Sequence, residues 1–168
     1  MRPSAVPSRS NPGSRMWIAL LMLLLAPSGV QGAGVREARP NLVGGEIGGR
    51  GFILTLNYER YLADPFGLGG GIMAVGGSGG GVAILPFYAS FLSGDEHSLY
   101  VSAGASLVIG SGGIGDYRSQ WIVHTSLGYH YHSRGGFFVR PIFTIHQGTS
   151  GTGDDLLVLP GITIGGSF

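Results

Sequence analysis

The chain has no cysteine and no lysine, and charged residues make up only 11% of its 168 positions. The missing cysteines exclude a disulfide framework and a thiolate metal site. So few charges are unusual for a soluble surface. A formal net charge of +1, carried entirely by arginine against nine acids, gives no reason to propose a nucleic-acid partner. Long hydrophobic runs are scarce too. The longest, Met16 to Ala26, is too short for a comfortable membrane-spanning helix, and no later stretch qualifies.

That one run sits where an export signal would. Arg2, Arg9 and Arg15 precede it, Pro27-Ser28-Gly29 break it, and Val30-Gln31-Gly32 offers a cleavage site before Ala33. Residues 1–32 therefore read as a cleaved signal peptide, residues 33–41 as a polar lead-in, and residues 42–168 as one domain. Cleavage removes three of the ten arginines and leaves seven against nine acids. Export without a helical anchor points to the periplasm, the outer membrane or secretion.

Glycine is abundant, with 33 residues, and strict alternation accompanies it. In Ser119 to Gln147, Trp121, Val123, Thr125, Leu127, Tyr129 and Tyr131 share one parity. Ile122, His124, Ser126, Gly128, His130 and His132 share the other. After the turn Ser133 to Gly136, Phe137, Val139, Pro141, Phe143 and Ile145 alternate with Phe138, Arg140, Ile142, Thr144 and His146. Alternate side chains of a strand point to opposite faces of its sheet. These strands are longer than the usual ~5–6 residues and match the ~9–11 needed to cross a bilayer at a tilt.

The same pattern recurs along the chain. Strands are expected at Leu42–Ile47, Phe52–Leu62, Phe66–Val75, Val82–Leu92, Ser98–Ile109, the two arms of the hairpin, and Leu157–Phe168. Phe52, Leu54, Leu56 and Tyr58 should face outward, with Ile53, Thr55, Asn57 and Glu59 inward. The fourth strand is apolar on both parities, so its orientation stays open, and Pro86 within it argues for a bulge or weak pairing. Gly48 to Gly51 reads as a turn, and the stretches GGSGGG and GSGGIG as mobile external loops. Neither stretch ends as a phosphate-binding loop does. The fold class that follows is all-β: an antiparallel up-and-down transmembrane β-barrel of about eight strands, the smallest even number for a membrane barrel. Tight turns after strands two, four and six and longer connections after five and seven fit periplasmic turns and external loops. Tyr58, Tyr61, Phe66, Phe91, Tyr129, Tyr131, Phe137 and Phe168 should form an aromatic girdle on the turn side, with Phe52 and Trp121 at the opposite rim.

LTLNYERYL followed by FGLGGGI, SLGYHYHSRGGFFVRPIFT, and the terminal LPGITIGGSF carry a resemblance. They resemble the NYER, GYRY…GGFFFR and PGLSLGYSF patterns of a subset of the small outer-membrane β-barrel proteins of Gram-negative bacteria. The resemblance covers most of Leu42 to Phe168 and implies a monomer in outer-membrane lipid. It also implies that the barrel-insertion machinery reads a last strand ending on Phe168. Gly166 departs from the aromatic residue often found there. Fold does not fix function, so no activity is implied.

Six inward-parity residues form the candidate site: Glu46, Glu59, His124, His130, Arg140 and His146. An arginine facing lipid at mid-membrane costs ~2–4 kcal/mol, and an enclosed charge needs a partner. These groups are expected to form a hydrogen-bonded and ion-paired network filling the lumen, with a narrow polar path as the other reading. His124 should lie opposite His146, and His130 opposite Arg140. Imidazole pairs can bind metal, but no third ligand is evident and Arg140 would repel a cation. His124-Thr125-Ser126 is similar in spacing to the catalytic pair of the outer-membrane lipid A deacylases, yet no carboxylate is placed to orient the histidine. The expectation is a non-enzymatic envelope protein or narrow pore, without cofactor. The alternatives are a barrel enzyme acting on membrane lipid and a soluble exported barrel binding a small ligand.

Overall fold

The computed structural model describes residues 34–111, 117–148 and 156–168. The proposed signal peptide and the tips of the two longer loops lie outside the described residues. Among those described, no helix is long and apolar enough to cross a membrane.

Eight antiparallel strands form a closed up-and-down barrel. They are β1 (Asn41–Gly48), β2 (Leu54–Ala63), β3 (Phe66–Gly77), β4 (Gly80–Gly94), β5 (His97–Ser111), β6 (Tyr117–His132), β7 (Phe137–Gly148) and β8 (Leu156–Ser167). Each pairs with the next, and β8 returns to β1 through Leu42↔Ser167 to Gly48↔Gly161, so no edge is left unpaired. The end carrying the connections after β2, β4 and β6 is called here the turn end, and the other the loop end.

Alternation decides which side chains turn inward. On β2 the outward residues Leu54, Leu56 and Tyr58 are exposed, whereas Thr55, Asn57 and Glu59 are buried. β7 repeats this with Phe137 and Phe143 outside and Phe138, Arg140, Thr144 and His146 inside. β4, ambiguous in sequence, puts Ile84, Tyr88, Ser90 and Leu92 inside. The polarity is inverted relative to a soluble protein. Ile47 and Leu62 are each 64% exposed, while Glu46 and Arg50 are 0%. A cluster of Leu42, Tyr61, Leu92, Tyr100, Phe138 and Ile142 packs within the barrel alongside the charges. Room for these large groups comes from inward glycines. A Cβ on Gly44 would sit 2.9 Å from Phe138 Cζ and 2.9 Å from the Ile164 carbonyl oxygen.

Several expectations need correction. Gly48 to Gly51 is not a surface turn. Gly48, Gly49 and Phe52 all have positive φ, and they fold the 3-10 turn Gly49–Gly51 into the lumen with Arg50 buried. That reversal also swaps the next two side chains. Phe52, expected at the outer rim, stacks on His146 with ring centres 4.5 Å apart, and Ile53, expected inside, is exposed. Tyr61 is not part of the girdle. It is buried in the barrel, as its parity requires. Pro86 causes no bulge, because the β3–β4 register is the same on both sides of it. The weak pairing expected there as the alternative is present, since the pairs between Gly70↔Phe87 and Met73↔Ile84 lapse. Among the described residues, the one shift in register falls instead between Tyr61 and Ala63 on β2. GGSGGG is mostly strand, since β3 and β4 stay paired out to Gly77↔Gly80. The lead-in carries a short helix, α1 (Val35–Ala38).

Candidate functional site

The barrel interior is built in layers. At the turn end, α1 places Arg36 in the mouth, where it is 3% exposed. Its Nε donates to Asp64 Oδ1 at 2.8 Å, and Nη1 donates to Ser98 Oγ at 3.1 Å and the Asp95 carbonyl at 3.3 Å. Nη2 donates to the Gly94 carbonyl. Arg39 ties the same segment to the carbonyls of Gly135 and Ser167. Just inside, a hydrogen bond of 2.7 Å joins His132 Nε2 and Ser167 Oγ.

Below this lies the first buried ion pair. Arg140 Nη1 donates to Glu59 Oε2 at 2.6 Å, and Arg140 Nε donates to His130 Nδ1 at 3.0 Å. Ser90 Oγ donates to the other Glu59 oxygen. Both partners are almost fully buried. The guanidinium lies over the Tyr100 ring, 4.0 Å from its centre.

A second pair sits toward the loop end. Arg50 and Glu46 are joined by Nη2 and Nε of the guanidinium, and the Arg50 backbone N–H donates to Glu46 Oε1 at 2.7 Å. Thr163 Oγ1 donates to Glu46 Oε2 at 3.0 Å, and Arg50 Nη1 donates to the Tyr100 hydroxyl at 3.0 Å. The Tyr88 ring covers the Arg50 guanidinium at 3.9 Å. Such contacts offset the heavy cost of taking two charges out of water. Further toward the loop end His124 faces His146 across β6 and β7, with ring centres 6.0 Å apart. A hydrogen bond of 3.0 Å joins His146 Nε2 to the Gly49 carbonyl.

All six candidate residues point into the barrel and are buried. The structure brings Glu59, Arg140 and His130 together in one layer. It puts Glu46 in another, and His124 with His146 in a third. Sequence reasoning missed Arg50, Arg36, Tyr88 and Tyr100. Tyr100 already had inward parity. The glycines before Arg50 were the available sign that its segment could reverse. Among the described residues, no group of three or more His, Cys, Asp or Glu side chains is arranged to hold a metal ion. The His-x-Ser pair is not joined by a hydrogen bond. Ser126 Oγ bonds to Thr144 Oγ1 at 2.9 Å, and neither ring nitrogen of His124 makes a hydrogen bond.

No family model and no curated protein matches this chain. Among solved structures, the N-terminal β-barrel domain of Pseudomonas aeruginosa OprF is similar. It has a TM-score of 0.52 at 14% identity, over 74% of this chain and 94% of that one. Ail, the attachment invasion locus protein of Yersinia pestis, aligns at a TM-score of 0.43 and 16% identity, over 76% of this chain and 92% of that one. The fold is that of the small eight-stranded outer-membrane barrels.

Proposed function

We propose that this chain is an integral outer-membrane protein of a Gram-negative envelope: a monomeric, non-enzymatic barrel with a structural role and a lumen closed by its own side chains. One observation carries the proposal, the inverted polarity of the wall. Leu54, Leu56, Leu68, Ile72, Leu127, Phe143 and Ile164 are exposed on the outside, while two buried Arg–Glu pairs lie inside. An exposed apolar surface of this extent needs lipid or a partner to cover it, and a barrel satisfies its backbone groups without water. Tyr58, Phe66, Tyr129 and Phe137, exposed near the turn end, supply one aromatic girdle. Export through residues 1–32 and assembly through the strand ending at Phe168 belong to the same proposal. Arg36, the Glu59–Arg140 layer and the Glu46–Arg50 layer stand one after another across the lumen, which favours a closed barrel over a pore.

Membrane fractionation of the expressed protein, with gel migration compared before and after boiling, tests the location. Outer-membrane recovery and a heat-dependent shift are expected. Recovery as a soluble periplasmic protein would overturn the proposal. Planar-bilayer recording tests closure: no stepwise conductance is expected, and steady steps from the purified protein would restore the narrow-pore reading.

A further inference from the structure

Two histidine pairs line the lumen, and they are not alike. His130 and His132, near the turn end, have ring centres 5.5 Å apart. Both rings are committed. His130 Nδ1 accepts from Arg140 Nε, and His132 Nε2 is hydrogen-bonded to Ser167 Oγ. The charges of Arg140 and Arg36 act on both rings and repel a cation. His124 and His146, near the loop end, stand directly opposite each other on β6 and β7. His124 is 1% exposed, and neither of its ring nitrogens has a hydrogen-bond partner. The Ala105 carbonyl comes near it, short of a hydrogen bond.

The opposite ring is already oriented. A carbonyl can only accept, so the bond between His146 Nε2 and the Gly49 carbonyl fixes a proton on Nε2. The lone pair of the neutral ring is then on Nδ1, which is buried without a partner. Phe52 stacks on the same ring at 4.5 Å. A backbone carbonyl on one nitrogen and a free lone pair on the other is the arrangement of a metal-binding histidine. Two imidazoles bonded in line to one ion, at about 2 Å per bond, have ring centres about 6 Å apart. The ring centres of His124 and His146 are 6.0 Å apart. His124 has no hydrogen bond to break in turning toward such an ion. The fixed charges acting on this pair, Arg50 and Glu46, already neutralise each other. Among the described residues, Gln120 and Gly148 continue the inward parity toward the loop end and are exposed, which puts the approach at that end.

We propose that His124 and His146 form a site for one copper(I) ion, bound between His146 Nδ1 and a ring nitrogen of His124. Ligand number and charge select the ion. Zinc takes four ligands in its structural sites. A doubly charged ion here would have no carboxylate of its own, since Glu46 is engaged by Arg50 and Thr163. A closed-shell ion of single charge is satisfied by two neutral imidazoles in line, and copper is among the metals that imidazole suits.

The test titrates the folded barrel, extracted from membranes in detergent, with copper(I) presented by bicinchoninate under ascorbate. The chain has no cysteine, so no thiolate competes. One copper(I) per chain should leave the chelator. His124→Gln and His146→Gln should each weaken binding by more than the ~10–100-fold typical of losing an outer-shell partner. His97→Gln, an exposed histidine at the turn end, should not. Heat-shifted migration establishes that each variant is a closed barrel before it is titrated. Histidine-ring NMR of the wild-type protein with silver(I), a redox-inert ion of the same charge, needs no variant. Of the five histidines, His124 and His146 alone should shift. No copper(I) retained by wild type, undiminished retention in either lumen variant, or silver(I) shifts confined to other rings would overturn the site. The site needs the closed barrel and not the bilayer. A chain recovered as soluble protein would sink the membrane reading alone, and the same titration without detergent would still judge the copper site.

Discussion

The guanidinium of Arg140 lies 4.0 Å from the centre of the Tyr100 ring. The hydroxyl of the same tyrosine accepts from Arg50 Nη1 at 3.0 Å. One side chain thus joins the two buried ion pairs, by its face to one and by its tip to the other. Its partner on β6 is Gly128, which leaves room for Ile142: a Cβ there would lie 2.7 Å from Ile142 Cγ2.

The two halves of Tyr100 should separate by mutation. Tyr100→Phe keeps the ring and removes the acceptor, leaving one Arg50 N–H unpaired at a cost of about 1–2 kcal/mol. Tyr100→Leu also removes the cation–π platform, worth about 2 kcal/mol when desolvated, and should cost clearly more. Urea unfolding of the barrel in lipid vesicles, followed by tryptophan fluorescence, measures both. A leucine variant no less stable than the phenylalanine one would mean that the ring does not support Arg140.

The Glu59–Arg140 pair makes a sharper case, because removing one member is worse than removing both. Glu59→Leu leaves the guanidinium buried with His130, Tyr100 and Phe138 beside it and no counter-charge. Such an uncompensated charge costs about 3–5 kcal/mol. Glu59→Leu with Arg140→Met removes the charge altogether and should recover most of the loss. A double-mutant cycle by the same unfolding measurement checks this. If the double variant is as unstable as the sum of the singles, the two residues are not coupled.

How much of this could be read from the sequence varies with the kind of information each part needs. Strand parity is local, so the inward Asn57 and Glu59 and the outward Leu56 and Tyr58 were legible from alternation alone. β4 was not, because Val82 to Leu92 is apolar on both parities and only pairing with its neighbours decides its face. Arg50 was hidden for a different reason. Its inward position depends on positive φ at Gly48, Gly49 and Phe52, and alternation carries no information about a backbone reversal. Tyr61 presented two conflicting cues, a girdle position and an inward parity. Parity prevailed, because a lumen only wide enough for side chains must be filled by them. For Arg36, nothing in a four-residue helix indicates that it will reach across to Asp64 and Gly94.

Adjacent glycines on β1 should respond oppositely to the same change. Gly44 faces the lumen, with Phe138 Cζ and the Ile164 carbonyl oxygen each 2.9 Å from where a Cβ would stand, whereas Gly45 faces outward with nothing within 4 Å. Gly44→Val must displace Phe138 or part β1 from β8, and overpacking of this kind costs ~1–3 kcal/mol. Gly45→Val replaces a weak strand former with a strong one on an open face. The folded fraction on an unboiled gel should fall for Gly44→Val and hold for Gly45→Val. Equal losses in both would show that β1 does not have this register.

The closure of the turn end rests mainly on Arg36. Its guanidinium reaches a carboxylate, a hydroxyl and two carbonyls on the β2–β3 and β4–β5 connections and the start of β5. Arg39, the residue before Pro40, adds contacts to the carbonyls of Gly135 and Ser167. Arg36→Ala removes every one of the first set and leaves Arg39 and the Val35 N–H, which donates to Asp95 Oδ1 at 3.2 Å, to hold the segment. The barrel itself should persist, because the ion pairs of the interior do not involve this residue. Its lead-in, however, should open often enough for trypsin to reach the Arg39 bond, although the following Pro40 makes that bond a poor site. Glu37, next to Arg36 on the same helix, provides a better one: cleavage after Glu37 by a glutamate-specific protease should become several-fold faster in Arg36→Ala, since proteolysis tracks the population of the open form. Unchanged cleavage would show that the segment is held by Arg39 and the strand ends, and that Arg36 fills the mouth without fastening it.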